Sequence, residues 1–175
     1  KRAVVNNASY DYYSRCSPAD LNLTLPPSDL RIWLFNALDA SSAVMLHHGA
    51  VIDSDMISSF LGSAASLLKH FMPDLTLGTH DMKDYARIYS TVCHELAHSS
   101  HYAKVGNAYW NNYIRYVIES FIKTGGMTYG DGAGDRAGYC AIGEMWAYFI
   151  ESQMYKDRYG GAYPTFGNSH WFSPQ

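Results

Sequence analysis

The chain has 175 residues, 47% of them apolar, with a formal net charge of −3 and a pI of about 6.2. That length and composition fit one domain over residues 1–175 with a core of its own. No Lys/Arg cluster offers a surface to phosphates and no run of about 18 apolar residues is present, so neither a nucleic-acid partner nor a transmembrane segment is expected.

The chain begins Lys1-Arg2-Ala3, with neither an initiator Met nor the basic-then-apolar pattern of a signal peptide, and reads as a mature or excised piece of a longer protein. Its three cysteines cannot close a disulfide framework; Cys93 and Cys140, in apolar surroundings, read as small buried thiols. Fifteen Tyr with little Lys lean the composition towards an exported protein, whether secreted, periplasmic or at the cell surface.

In chain order, the Tyr-rich segment 3–25 predicts one short helix, capped by Asn7 or Ser9 and broken off by Pro26-Pro27. Residues 30–35 and 43–47 are two strand-like runs across a turn-like 39–42 segment and are expected to pair as a hairpin. Residues 53–71 repeat apolar side chains every three or four positions, which predicts a helix capped by Asp53 or Ser54 and ended by Pro73. Leu75-Thr76-Leu77 reads as a short strand before Gly78. A helix over about 81–105 follows, with Asp81 and Asp84 near its positive end and Gly106 as its stop. Residues 109–123 predict another helix, ended by Gly125-Gly126, and six glycines from Gly125 to Gly138 predict an irregular loop. A last helix over about 139–158 stops at Gly160-Gly161, and the aromatic tail 162–175 has no regular pattern. The class is α+β, mostly helical, with a small mixed or antiparallel sheet.

Within the 81–105 helix stands His94-Glu95-Leu96-Ala97-His98. Residues four apart share a helix face, so the two imidazoles converge on one metal ion. Glu95 is turned by about 100° around the axis and lies beside the ion rather than on it. Zn²⁺ brings a coordinated water to a pKa of about 7, and a carboxylate at its side then completes a hydrolytic nucleophile, which makes Glu95 the candidate general base. The apolar Ile88, Val92, Leu96 and Ala97 suit a buried ion better than a solvent-facing helix decorated with charges.

A catalytic zinc keeps three protein ligands and one open position. Three residues compete for the third. His101 shares the face, but it lies about 10 Å further along the axis than His94. His170 sits in the tail beside Trp171, where a histidine more often packs or touches substrate. Glu144 fits best: it stands in the otherwise apolar segment 141–150, whose burial leaves a carboxylate in need of a cation. Gly143 beside it clears a path for close approach to the motif helix. The bland alternative is a salt bridge from Glu144 to Arg136, Arg115 or another base.

His94-Glu95-x-x-His98 with Glu144 on a later helix resembles the zincin metallopeptidases, and among them the gluzincin branch, over roughly residues 30–158. The order of a small sheet, a backing helix, the motif helix and a Glu helix agrees. The resemblance implies a zincin-like fold with the sheet packed beside the motif helix, and one Zn²⁺ held by His94, His98 and Glu144. It also implies hydrolysis of a peptide or protein substrate with Glu95 as base, the peptide lying along an edge strand near Ile32 or Val44. The metzincin pattern is not met, since it needs Gly where His101 stands and His where Lys104 stands. The chain departs from the gluzincin pattern in two ways: a whole helix separates His98 from Glu144, and Tyr148, not Asp, stands four residues after Glu144. The partner that orients a ligand histidine is therefore open between Glu151 and Asp135, and the donor to a tetrahedral oxyanion among Tyr139, Tyr148, Tyr163 and His170. The competing class is a catalytically silent zincin-fold binding module, with a structural zinc closed by His101 or His170 and an interaction surface drawn from its Tyr and Trp residues. Glu95 has no task in that reading.

Overall fold

The structure, a computed structural model, describes residues 1–37, 41–43, 45, 47–48, 73–80, 82–124 and 129–160. Over these residues the fold is α+β and mostly helical, in the order α1 (Arg2–Arg15), β1 (Ile32–Phe35), β2 (Ser42–Ala43), β3 (Leu75–Gly78), α2 (Tyr85–Thr124) and α3 (Ala137–Tyr159). The helix expected over 53–71 and the tail carrying Tyr163 and His170 lie outside the described residues, as do Val44 and Asp81.

The strands form one mixed sheet in the order β1-β3-β2. β3 takes the centre, with Leu75 and Leu77 sealed from solvent. β1 runs parallel to it, Ile32 opposite Leu75, and β2 antiparallel, Ala43 opposite Leu75. The hairpin expected between β1 and β2 is thus corrected, because β3 lies between them. Asp74 supplies the physical reason. Its buried carboxylate accepts from the backbone of Arg31 (3.1 Å) just ahead of β1, and from the backbone (3.2 Å) and ring (2.9 Å) of His48 just after β2. Both flanking strands are tied to the head of β3 rather than to each other. The strand expected over 43–47 is also cut short: Met45 has a left-handed backbone (φ 58°), and its sealed side chain accepts a hydrogen bond from Ser99 Oγ (3.4 Å).

α1 starts directly after Lys1, so Asn7 and Ser9 lie inside it and do not cap it. Tyr12 on its buried face donates to Ser100 Oγ (2.8 Å), which fixes α1 on α2. Arg15 to Asp157 (2.8 Å) and Arg158 to Asp11 tie α1 to the end of α3.

Asp84 opens α2 by accepting from the backbone of Ala86 (2.9 Å). The break expected at Gly106 is present, with φ 77° and ψ 175°, backbone that only glycine adopts at little cost. Its consequence is long-range. The ring of Tyr113 stacks on His98 with centroids 5.9 Å apart, whereas fifteen residues of straight helix separate two positions by about 22 Å. The hinge brings the second half of α2 back beside the first, with the buried Trp110 between His98, His101 and Tyr113. α3 begins at Ala137, two residues before the expected Tyr139, and packs along α2. All three cysteines are unpaired and buried. Among the described residues no helix is long and apolar enough to cross a membrane.

Candidate metal centre

Two helices build the site. On α2, Ile88, Val92, Leu96 and Ala97 are sealed in the core and draw the motif turn inward with them. On α3, Cys140, Glu144, Ala147, Glu151 and Met154 recur at alternating four- and three-residue steps, so two carboxylates share the buried face with apolar neighbours.

His94 Nε2 and His98 Nε2 stand 3.1 Å apart. Glu144 Oε2 is 3.6 Å from His94 Nε2, and Glu144 Oε1 is 3.6 Å from His98 Nε2. Ligand atoms at their usual distances from one tetrahedral zinc stand roughly 3.3 Å from each other, so this triangle has the dimensions of a zinc site. Two further observations fit the ion. Glu144 Oε2 is buried without a hydrogen-bond partner, a costly state for a carboxylate oxygen unless a cation faces it. His94 Nδ1 donates to Glu151 Oε2 (2.9 Å), which turns Nε2 towards His98 and Glu144, the nitrogen that would bind a metal once it has lost its own proton. Tyr113 adds a third support, its hydroxyl donating to Glu144 Oε1 at 2.6 Å.

No protein-family model matches the chain, and neither a curated protein nor a solved structure matches it.

The protein's own charges sort the four groups of the motif region. Burial works against a charge on His94, but Glu144 and Glu151 outweigh it and raise the imidazole to about 10. Burial pushes His98 down to about 3, which keeps it in the neutral form that a metal ligand requires. Burial also acts to raise Glu144, yet His98, His94 and the Tyr113 hydroxyl hold it at about 2. Glu95, 5% exposed, is lifted to about 8 by burial and by the carboxylates of Glu144 and Glu151, against the pull of His94. The proton on His94 balances part of the carboxylate charge that a divalent cation would neutralise.

The remaining candidates separate cleanly. His101 stays outside the cluster: its ring packs against Tyr109 and Trp110, and its buried Nδ1 has no partner. Among the described residues the group that could hold a metal ion therefore has three members, His94, His98 and Glu144. A Cβ on Gly143 would meet His101 Nδ1 at 3.6 Å, ordinary contact, so the helices do approach closely there but an alanine fits. Arg136 pairs with Glu119 (3.4 Å) and Asn112 (3.2 Å) instead of Glu144. Asp135 is exposed on the turn before α3, and of the two carboxylates Glu151 is the one bonded to a motif histidine, His94. Tyr148 packs edge-on against His94 (4.7 Å), whereas Tyr139 packs on Tyr109 (4.7 Å). Nothing in the local pattern marks Tyr113 as part of the site. Only Gly106 points that way, because a hinge there returns the next helix to the motif.

Proposed function

We propose that this protein is a zinc-dependent metallopeptidase of the zincin type, gluzincin-like in taking Glu144 as its third ligand. The observation that carries the reading is the His94–His98–Glu144 triangle with the buried Glu95 at its side. Three protein ligands is the number that catalytic zinc sites use, and four the number that structural ones use. When bound, zinc supplies Lewis-acid polarisation of a carbonyl and acidification of water.

Each remaining task falls to a residue of the chain. Glu95 takes a proton from the attacking water onto its carboxylate and hands it to the leaving amine. It shares a helix face with Ser99 and Tyr102, the residues that meet the chain around β2: Ser99 Oγ reaches Met45 Sδ, and the Tyr102 hydroxyl donates to the His48 carbonyl (3.1 Å). That helix face turns Glu95 towards the β2 side of the sheet, and an extended peptide would add as a further strand along that edge. Glu151 keeps Nδ1 of His94 protonated and its ring oriented. Tyr148, edge-on to His94, is the donor to the oxygen that gains charge as the carbonyl is attacked.

The test is Glu95→Gln, which keeps the shape and the ligands and removes the base. Cleavage of a mixed peptide pool, read by mass spectrometry, is expected to fall by roughly 10²–10⁴-fold with zinc content unchanged. Wild-type turnover in that variant would take Glu95 out of the mechanism.

A further inference from the structure

We infer that a pocket behind His101, where the chain after α1 meets α2 and α3, binds a small carboxylate with an apolar body. The pocket encloses about 320 Å³. Asn22 and Thr24 line it from the chain after α1, Ser100, His101 and Lys104 from the turn of α2 before the Gly106 hinge, and Trp146 from α3. None of His94, His98 and Glu144 lines it, so the site is separate from the metal centre and independent of the peptidase reading.

Three observations point to this ligand. The first is charge. The chain carries a net charge of −3, yet Lys104 is the one charged residue lining this pocket, and no Asp or Glu lines it. One cation offsets one negative charge, which favours a carboxylate over a phosphate dianion. The second is the direction of the hydrogen bonds on offer. Ser100 Oγ accepts from the Tyr12 hydroxyl (2.8 Å), which leaves its own hydrogen to donate. His101 is 8% exposed, and burial pushes its imidazole down and keeps it neutral. Its Nδ1 is sealed without a partner. A hydrogen there would be stranded, so the neutral ring carries it on Nε2, the nitrogen not sealed in this way, and needs an acceptor. A carboxylate brings such acceptors to Lys104, His101 and Ser100 together. The third is the wall opposite. Trp146, 36% exposed, offers an aromatic face for an apolar body to cover. The volume sits near the bottom of the roughly 300–1,000 Å³ range of small-molecule sites, which suits one small ligand.

The experiment uses the full chain in excess chelator, so that no bound metal captures the probe. Phenylacetate, its neutral isostere phenylacetamide and inorganic phosphate are titrated separately and followed by amide chemical shifts. Phenylacetate is expected to bind saturably, with shifts centred on Thr24, Lys104 and Trp146, and at least roughly tenfold tighter than either other probe. Lys104→Gln, at an exposed helix position, should weaken phenylacetate by roughly tenfold, with phenylacetamide binding and circular dichroism unchanged. Lys104→Arg, which keeps the charge, should restore most of that loss. Thr24→Val, also at an exposed position, tests the opposite wall without touching α2 and should weaken phenylacetate several-fold. Equal binding of phenylacetate and phenylacetamide, or tighter binding of phosphate, overturns the carboxylate assignment. No saturable phenylacetate binding, or binding that Lys104→Gln and Thr24→Val leave unchanged, overturns the site. None of these results bears on zinc or on peptide cleavage.

Discussion

Removing one oxygen atom from Tyr113 tests whether the hinge in α2 supports the metal centre. Tyr113 is buried, its ring stacks on His98 with centroids 5.9 Å apart, and its hydroxyl lies 2.6 Å from Glu144 Oε1. Tyr113→Phe keeps the ring and the stack and deletes only the donor. A hydrogen bond to an ionised acceptor contributes about 1.5–3 kcal/mol, and Glu144 remains ionised because its neighbours hold it at about 2. In a domain of this size each kcal/mol moves Tm by about 2–4 °C, so the variant should melt roughly 3–12 °C lower in the presence of chelator. Zinc affinity should fall by roughly 10–100-fold, as it does when a partner of a metal ligand is lost. The decisive assay is a double-mutant cycle with Glu144→Ala, which removes the acceptor, read by thermal unfolding. If the hydroxyl acts through the carboxylate, the two losses fall short of adding by about 1.5–3 kcal/mol. Additivity to within about 0.5 kcal/mol would mean that the two groups do not interact, and the reasoning would fail.

The other predictions concern the two glycines and pH. Nothing lies within 4 Å of a Cβ added at Gly106, so Gly106→Ala is penalised through its backbone alone; a loss of about 1–3 kcal/mol is expected from urea unfolding. Gly143→Ala, in a helix and in ordinary contact with His101, should leave stability unchanged or raise it by up to about 1 kcal/mol, and a large loss would contradict the packing of α3 on α2. His94, raised to about 10, must give up a proton to bind zinc near neutrality, so affinity should climb by about tenfold per pH unit. Calorimetry in buffers of different ionisation enthalpy counts that proton, and a count of zero would remove His94 from the ligand set. The sign for chelated protein is opposite. Pairing that raises His94 from 6.5 to about 10 stabilises fully below 6.5 and is lost as pH rises through about 10.

What was legible in the sequence is what local periodicity and isolated residues encode. The two halves of α2, the break at Gly106, the body of α3 and the short β3 follow from three- and four-residue apolar spacing and from glycine. Glu144 was legible because a carboxylate in an apolar helix stands out, and Glu151 because it lies seven residues further along the same face. Strand pairing was not, since two strand-like runs carry no record of their partner; the buried Asp74, bonded to Arg31 and His48, decides it from a distance. Nor was the length of β2, cut by a left-handed Met45 whose side chain is drawn into the core against Ser99. Tyr113 was hidden for a related reason: its role depends on the angle at which the chain leaves Gly106, which spacing alone does not specify.

Zinc per chain, measured by elemental mass spectrometry on wild type and Glu144→Ala, tests the account most directly. About one zinc per chain in wild type and a large loss in the variant is the predicted result, with His94, His98 and Glu144 as the ligands. No zinc in wild type, even after zinc is added back, would contradict it.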